Sequence, residues 1–323
     1  MTIRQPPVGP VPEPADHWVG VHVFTGHPLD LVVRALVPGV LAELRDRDLI
    51  DRLFFLRHWQ GGPHLRLRVR LTSPAAEPAA RATLAAHTAA FFRALPPSQA
   101  MTEHQYDALA ARLSAREPES EPGTLAPNDT FAFLPYRPEH AKYGHGAALR
   151  SAEDAFAICS ELATDAVLAE WGPARRQAHC FALLAGSLDA SAAAPVRPAP
   201  DVVARYRNRR AALLAVARAA RTAAPEGAGG RAGADPVTRW LTACLDARRQ
   251  AADPARLTGH LTHLACNRLG VRLDQEATLR GLALLAVAES TDGGPPPPPG
   301  AGHGGRRAGT GRGHPAHEGA GPG

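Results

Sequence analysis

The chain is nearly devoid of lysine. Lys142 stands alone among 36 basic residues, the rest of which are arginine. A single lysine in an arginine-saturated chain marks its segment for scrutiny. The four cysteines (Cys159, Cys180, Cys244 and Cys266) are widely spaced and form no Cys-x-x-Cys pair. That pattern excludes a zinc ribbon or a dithiol redox centre and leaves reduced core residues in apolar, helical surroundings. No apolar run approaches the length of a membrane span, and the first residues lack the apolar centre of a signal peptide, so the expectation is a cytoplasmic protein with no membrane contact. Charge is only mildly one-sided, at +5. This suits an acidic partner but is too small a surplus to argue for direct nucleic-acid binding.

What is present is concentrated at Phe54–Arg70. Two strand-like runs flank Gly61-Gly62-Pro63, where glycine supplies positive φ and proline fixes its own φ. The second run alternates strictly: His64, Arg66, Arg68 and Arg70 on one face, and Leu65, Leu67, Val69 and Leu71 on the other. Arg57 and Trp59 come from the first run. The result is a β-hairpin with a dry side and a cationic side. Packed guanidinium groups repel one another unless an anion sits among them, so the cationic side is a candidate reader of carboxylate or phosphate. The competing reading is a solvated outer face of a sheet.

Residues 1–15 are proline-rich and read as an extended segment. A strand is expected over 17–24, a helix over 29–44 broken near Pro38, an alanine-rich helix over 78–95 with Phe91 and Phe92 inward, and a short helix over 106–113. Thr130–Leu134 reads as a strand. It leads into Pro135–Gly146, which holds Tyr136, Arg137, Glu139, His140, Lys142, Tyr143 and His145. Ser151 with Asp154 resembles a capping pair. Helices follow over 152–170, 174–193, 200–223, 236–251, 254–269 and 273–289, with a Gly-rich loop at 226–234. Residues 291–323 are rich in glycine, proline and histidine, cannot bury enough surface to fold, and read as a disordered tail. A tight turn makes its two strands antiparallel, and βαβ alternation is absent. The fold class is therefore α+β: an antiparallel sheet bearing a cationic hairpin, packed against a helix-rich C-terminal half, as one domain over 16–290.

A third cluster closes the helix at 254–269. Asp253 suits its N-cap, Pro254 its first turn, and Gly270 the position past its end. His260, His263 and Asn267 share a face at i, i+3 and i+7. No carboxylate or cysteine on that face completes a metal set. A histidine held by an asparagine or arginine network suits general acid–base work.

Three segments, in order, carry a family resemblance: Phe54–Arg57 with Gly62–Arg68, Tyr136–Glu139 with Tyr143-Gly144, and His263 with Cys266–Gly270. Together they resemble the C-terminal glutamate-elimination domain of class I lanthipeptide dehydratases, which also occurs alone as a thiopeptide-type bacteriocin biosynthesis protein. The opening Trp18–Val23 is similar to that domain's first strand. The resemblance implies β-elimination of glutamate from glutamylated serine or threonine of a precursor peptide, without a cofactor or metal. It also implies a separate tRNA-dependent glutamylation protein as partner. Arg66, Arg68 and His263 are then the catalytic candidates, with the arginines on the glutamyl carboxylates and His263 as acid–base. Arg57, His64, Arg137, Lys142, Tyr143, Asn267 and Arg268 are candidates for substrate binding. The family's Arg-Tyr-Gly-Gly is here Lys142-Tyr143-Gly144-His145, which loses a guanidinium fork and places a side chain where a left-handed glycine is expected. Two alternatives stand beside elimination. One is a pyridine synthase performing a formal aza-[4+2] cycloaddition, which needs aromatic and hydroxyl groups more than arginines. The other is a non-catalytic precursor-binding subunit, whose charge-based binding should weaken steeply with salt.

Overall fold

The computed structural model describes residues 17–115, 122–188, 198–223 and 235–292. The readings for residues 1–15, the Gly-rich loop, the end of the 174–193 helix and nearly all of the tail lie outside these residues. Within them, four strands form one antiparallel sheet: β1 (Trp18–Phe24), β2 (Ile50–His58), β3 (His64–Leu71) and β4 (Thr130–Phe133), in the spatial order β2-β3-β1-β4. Ten α-helices accompany them: α1 (Leu29–Asp46), α2 (Glu77–Ala94), α3 (Glu103–Ser114), α4 (His140–Tyr143), α5 (Ala147–Leu168), α6 (Pro173–Ser187), α7 (Pro200–Ala223), α8 (Pro236–Arg249), α9 (Pro254–Arg268) and α10 (Leu273–Asp292). The fold is α+β with a helix-rich C-terminal half.

The register fixes which side chains share a face. Across β1, β3 and β2, Val21, Leu67 and Phe55 form one row of the dry face. That face packs on α1 and α2, with Val32, Val33, Leu36, Val37, Val40 and Leu44 of α1 all buried. Pro38 does not break α1, contrary to the sequence expectation. An interior proline costs about 3 kcal/mol, whereas each buried apolar side chain returns roughly 1.5–3 kcal/mol, so six of them outweigh it. A second correction concerns the start of α5. Gly146, not Ser151, stands at its N-cap, and the Ser151 hydroxyl accepts from Gln250 Nε2 at 2.8 Å instead. The α9 expectation holds: Asp253 accepts from the Arg256 N–H at 3.0 Å, and Gly270 takes φ +73°.

The helical half reaches the sheet through the open edge of β2. An edge strand carries unpaired N–H and C=O groups that must find partners once buried. Side chains supply them here. Ser160 Oγ of α5 accepts from the Phe55 N–H at 3.1 Å, Asn267 Oδ1 accepts from the Arg57 N–H at 3.0 Å, and Asn267 Nδ2 donates to the Arg57 carbonyl at 2.8 Å. Arg268 Nε donates to the Phe55 carbonyl at 2.8 Å. Asn267 thus imitates one residue of a neighbouring strand. All four cysteines are buried free thiols, and burial pushes Cys159 and Cys244 up to about 12.

A candidate active site on the cationic face of the sheet

The second face of the sheet is read row by row. Phe24, His64 and His58 lie side by side, then His22, Arg66 and Leu56, then Gly20, Arg68 and Phe54, then Trp18 and Arg70 with Arg52. The alternation of β3 does put His64, Arg66, Arg68 and Arg70 on one face, but that face is covered rather than solvated. His64 is fully buried, and Phe54 beside Arg68 packs edge-on against Phe156 of α5 at 5.4 Å between ring centroids. Gly20 makes the cover possible. A Cβ there would lie 2.5 Å from the Leu134 carbonyl oxygen, so glycine lets the chain after β4 cross close over the sheet. That crossing sets the Tyr136 ring 4.6 Å from the Arg68 guanidinium, with Trp18 5.2 Å from Tyr136. The Tyr136 hydroxyl donates to Glu153 at 2.9 Å, a carboxylate on α5 that is wholly buried.

The positive charge on this face comes from the arginines, because its histidines are neutral. Arg66 Nε donates to His64 Nε2 at 3.0 Å, and His64 Nδ1 donates in turn to the Gly62 carbonyl at 2.8 Å, which assigns the neutral tautomer. Arg66 Nη2 also donates to Gln60 at 3.0 Å. Burial, reinforced by the nearby arginines, drops His22 and His58 to about 2 and His64 to about 4. Burial and then Arg68 lower Arg66 to about 10, still fully charged at neutral pH. Among the described residues neither Arg66 nor Arg68 has a carboxylate within ion-pair distance, whereas Arg52, Arg57, Arg70 and Arg176 are each paired with an aspartate.

The neutral histidines make the fold acid-sensitive. The unfolded chain takes up these protons below about pH 6.5 while the folded chain resists down to about pH 4 for His64 and about pH 2 for His22 and His58. Stability is therefore intact above pH 6.5 and falls as pH drops beneath it, at up to ~1.4 kcal/mol per pH unit for each histidine. Urea melts at pH 7.5 and 5.0 should show a markedly lower midpoint at pH 5.0, and His22→Phe should flatten the dependence; equal midpoints would contradict it.

The remaining sequence candidates scatter. Arg57 faces the other way from Arg66 and Arg68, because it pairs with Leu65; its guanidinium holds Asp30 at 2.6 Å and the Arg268 carbonyl at 3.0 Å. Arg268 is 1% exposed, its guanidinium packed 4.9 Å from the Phe156 ring and 5.9 Å from Phe54. Tyr143 is buried edge-on to Phe156, with its ring 6.1 Å from His260. Lys142 bonds Glu139 at 2.8 Å, and Arg137 is exposed. The positive φ angles of this loop fall on Gly144 and Gly146, so His145 is not strained as expected; it stacks on His140 at 4.2 Å. His263 lines a cavity of about 490 Å³ with Trp59, Arg112, Asn267 and Val271, and neither Arg66 nor Arg68 lines it. The two groups flank the hairpin turn, where Trp59 borders that cavity and the adjacent Gln60 bonds Arg66. His263 Nδ1 lies 2.8 Å from Glu276 Oε2, a carboxylate from the neighbouring helix α10.

Sequence reasoning missed His22, His58, Tyr136, Glu153 and Glu276. His22 and Tyr136 lie inside motifs singled out above. Glu153 carried no signal of its own, because α5 also holds Asp154, Glu161 and Asp165. Glu276 carried none, because its meaning depends on how α10 packs on α9.

An antiparallel sheet whose basic face is roofed by a helical half defines the class of domain, and comparison with known proteins gives the family. Residues 18–287 match the model of the lantibiotic biosynthesis dehydratase C-terminal family. The chain belongs to that family of peptide-antibiotic biosynthesis enzymes. Among solved structures it is similar to the pyridine synthase TbtD from thiomuracin biosynthesis, at 20% identity and TM-score 0.64, covering 84% of this chain and 98% of that one. It is also similar to TsrL, at 18% identity and TM-score 0.53, covering 86% and 96%. A tRNA-dependent lantibiotic dehydratase, MibB from Microbispora sp. 107891, matches at 23% identity and TM-score 0.48, over 87% of this chain but 29% of that larger one. No curated protein matches.

Proposed function

We propose that this protein eliminates glutamate from glutamylated serine or threonine residues of a ribosomal precursor peptide, after a separate tRNA-dependent protein has attached the glutamate. The observation that carries this reading is the pair of half-buried arginines that, among the described residues, have no carboxylate within ion-pair distance. Two guanidinium groups on neighbouring rows of one face repel each other, and burial raises the cost; an anion bound between them relieves both. The expelled glutamate carries two carboxylates, one of them the leaving group. In the reaction the Cα–H bond breaks and its electron pair becomes the Cα=Cβ bond. The Cβ–O bond breaks with its pair remaining on the departing carboxylate, and the base keeps the proton. Arg66 and Arg68 stabilise the leaving charge, and His263 accepts the proton. Tyr143 and His64 shape the arginine side of the site.

One observation favours a second reading. Tyr136 and Tyr143 bring two hydroxyl groups to the arginine face, and burial raises both phenols, so both stay protonated. Such donors suit the dehydration that completes a pyridine after aza-[4+2] cycloaddition. Mass spectrometry separates the readings. Incubated with a synthetic glutamylated precursor, the protein should release free glutamate and leave a dehydroamino acid, and His263→Ala should bind the peptide but not convert it. Leader release from an already dehydrated precursor, with no action on the ester, would instead establish cycloaddition. Retained binding with neither conversion would leave a scaffold.

A further inference from the structure

We infer that Glu276 is the positioning residue of His263, turning the imidazole so that Nδ1 faces the carboxylate and raising the ring's readiness to accept a proton at Nε2. This rests on the elimination reading for the role of His263. The contact joins two helices: His263 Nδ1 and Glu276 Oε2 are 2.8 Å apart, and Glu276 is 7% exposed. Its second oxygen accepts from Arg280 Nη2 at 3.2 Å, and Arg280 also donates to the Thr262 hydroxyl at 3.1 Å. Thr262 donates to the Thr258 carbonyl at 2.8 Å. The carboxylate is therefore gripped at both oxygens and cannot swing away from the ring. Burial alone would raise the Glu276 carboxyl, but the His263 hydrogen bond and the Arg280 charge outweigh it and hold it below its ordinary value. An ionised carboxylate accepts from Nδ1–H, fixes that tautomer, and stabilises the imidazolium formed when the ring takes a proton.

A carboxylate could also sit there only to clamp α10 to α9, so the test must read the imidazole itself. The charged and titratable groups around His263 are Glu276 and Arg280 of α10, Arg272 and Asp274 at the entry to α10, Arg112 of α3, and His260 and Cys266 of its own helix. Glu276→Gln keeps the shape and an acceptor while removing one charge, and every other group stays. Histidine Cε1–H NMR titration of the full chain, with His263→Ala to assign the signal, should show the His263 midpoint lower by about one unit or more in Glu276→Gln. Glutamate release should fall at least ~10-fold at neutral pH, with the acid limb of its pH profile moving down by the same interval. Glu276→Asp should recover part of both. A folded Glu276→Gln whose His263 midpoint and pH profile match the parent would overturn the inference while leaving elimination standing. Should the glutamine variant not fold, Glu276→Asp decides: its shorter arm must lower the midpoint, and an unmoved midpoint overturns the proposal. Full activity in His263→Ala would overturn both readings together.

Discussion

Arg68→Ala is expected to lower the turnover of a glutamylated peptide by about 10²–10³-fold, the usual loss when one preorganised donor to a developing oxyanion is removed. Three observations set Arg68 apart from the other arginines. It lies on the middle rows of the sheet, where strand register rather than a flexible loop holds its backbone. Its guanidinium is roofed by Tyr136 at 4.6 Å and walled by Phe54 at 5.6 Å, so water competes poorly for it. Burial lowers its pKa, while the Glu139 and Glu153 carboxylates act the other way. Arg68→Lys keeps the charge but not the flat fork that stacks on Tyr136 and can bond a carboxylate through two nitrogens. It should therefore rescue little, perceptibly less than tenfold. The measurement is single-turnover glutamate release with circular dichroism as the control. A folded Arg68→Ala that turns over at the parental rate would remove the pair of arginines from the chemistry.

Much of this face was legible beforehand because β structure writes its faces into the sequence with period two. The alternation from His64 to Leu71 predicted correctly which side chains face the core. What it did not reveal was the roof. Whether an alternating cationic strand faces water or a second layer depends on elements far along the chain. Here the deciding feature is Gly20, whose missing side chain admits the Leu134–Tyr136 crossing. Arg57 shows the limit of proximity in sequence. It stands near the cationic strand, but it pairs with Leu65, and parity turns its side chain away from Arg66. Pro38 shows a local rule overruled by tertiary burial, and His145 shows the reverse: the backbone moved its left-handed residues onto Gly144 and Gly146 and left the histidine unstrained.

The second large effect concerns Asn267 and Arg268, which the motif marks as substrate-binding and the geometry ties to the fold. Were they ligands of substrate, Asn267→Ala would fold normally and lose affinity. Instead both amide atoms of Asn267 are spent on the Arg57 backbone, at 3.0 and 2.8 Å, and Arg268 is spent on the Phe55 carbonyl at 2.8 Å. Alanine at 267 leaves one backbone N–H and one C=O of an edge strand without partners. Each stranded buried group costs roughly 1–3 kcal/mol, so the expected loss is about 2–6 kcal/mol of unfolding free energy. Asn267→Asp restores the acceptor but offers no donor to the Arg57 carbonyl and sets a charge against it, so it should recover little. Substitution at His263, four residues earlier and lining the cavity, should cost far less stability than substitution at Asn267. Urea unfolding of the three variants checks this ordering. If Asn267→Ala melts with the parent while peptide affinity collapses, the side chain is a ligand after all, and the edge of β2 must be held by Ser160 and Arg268 alone.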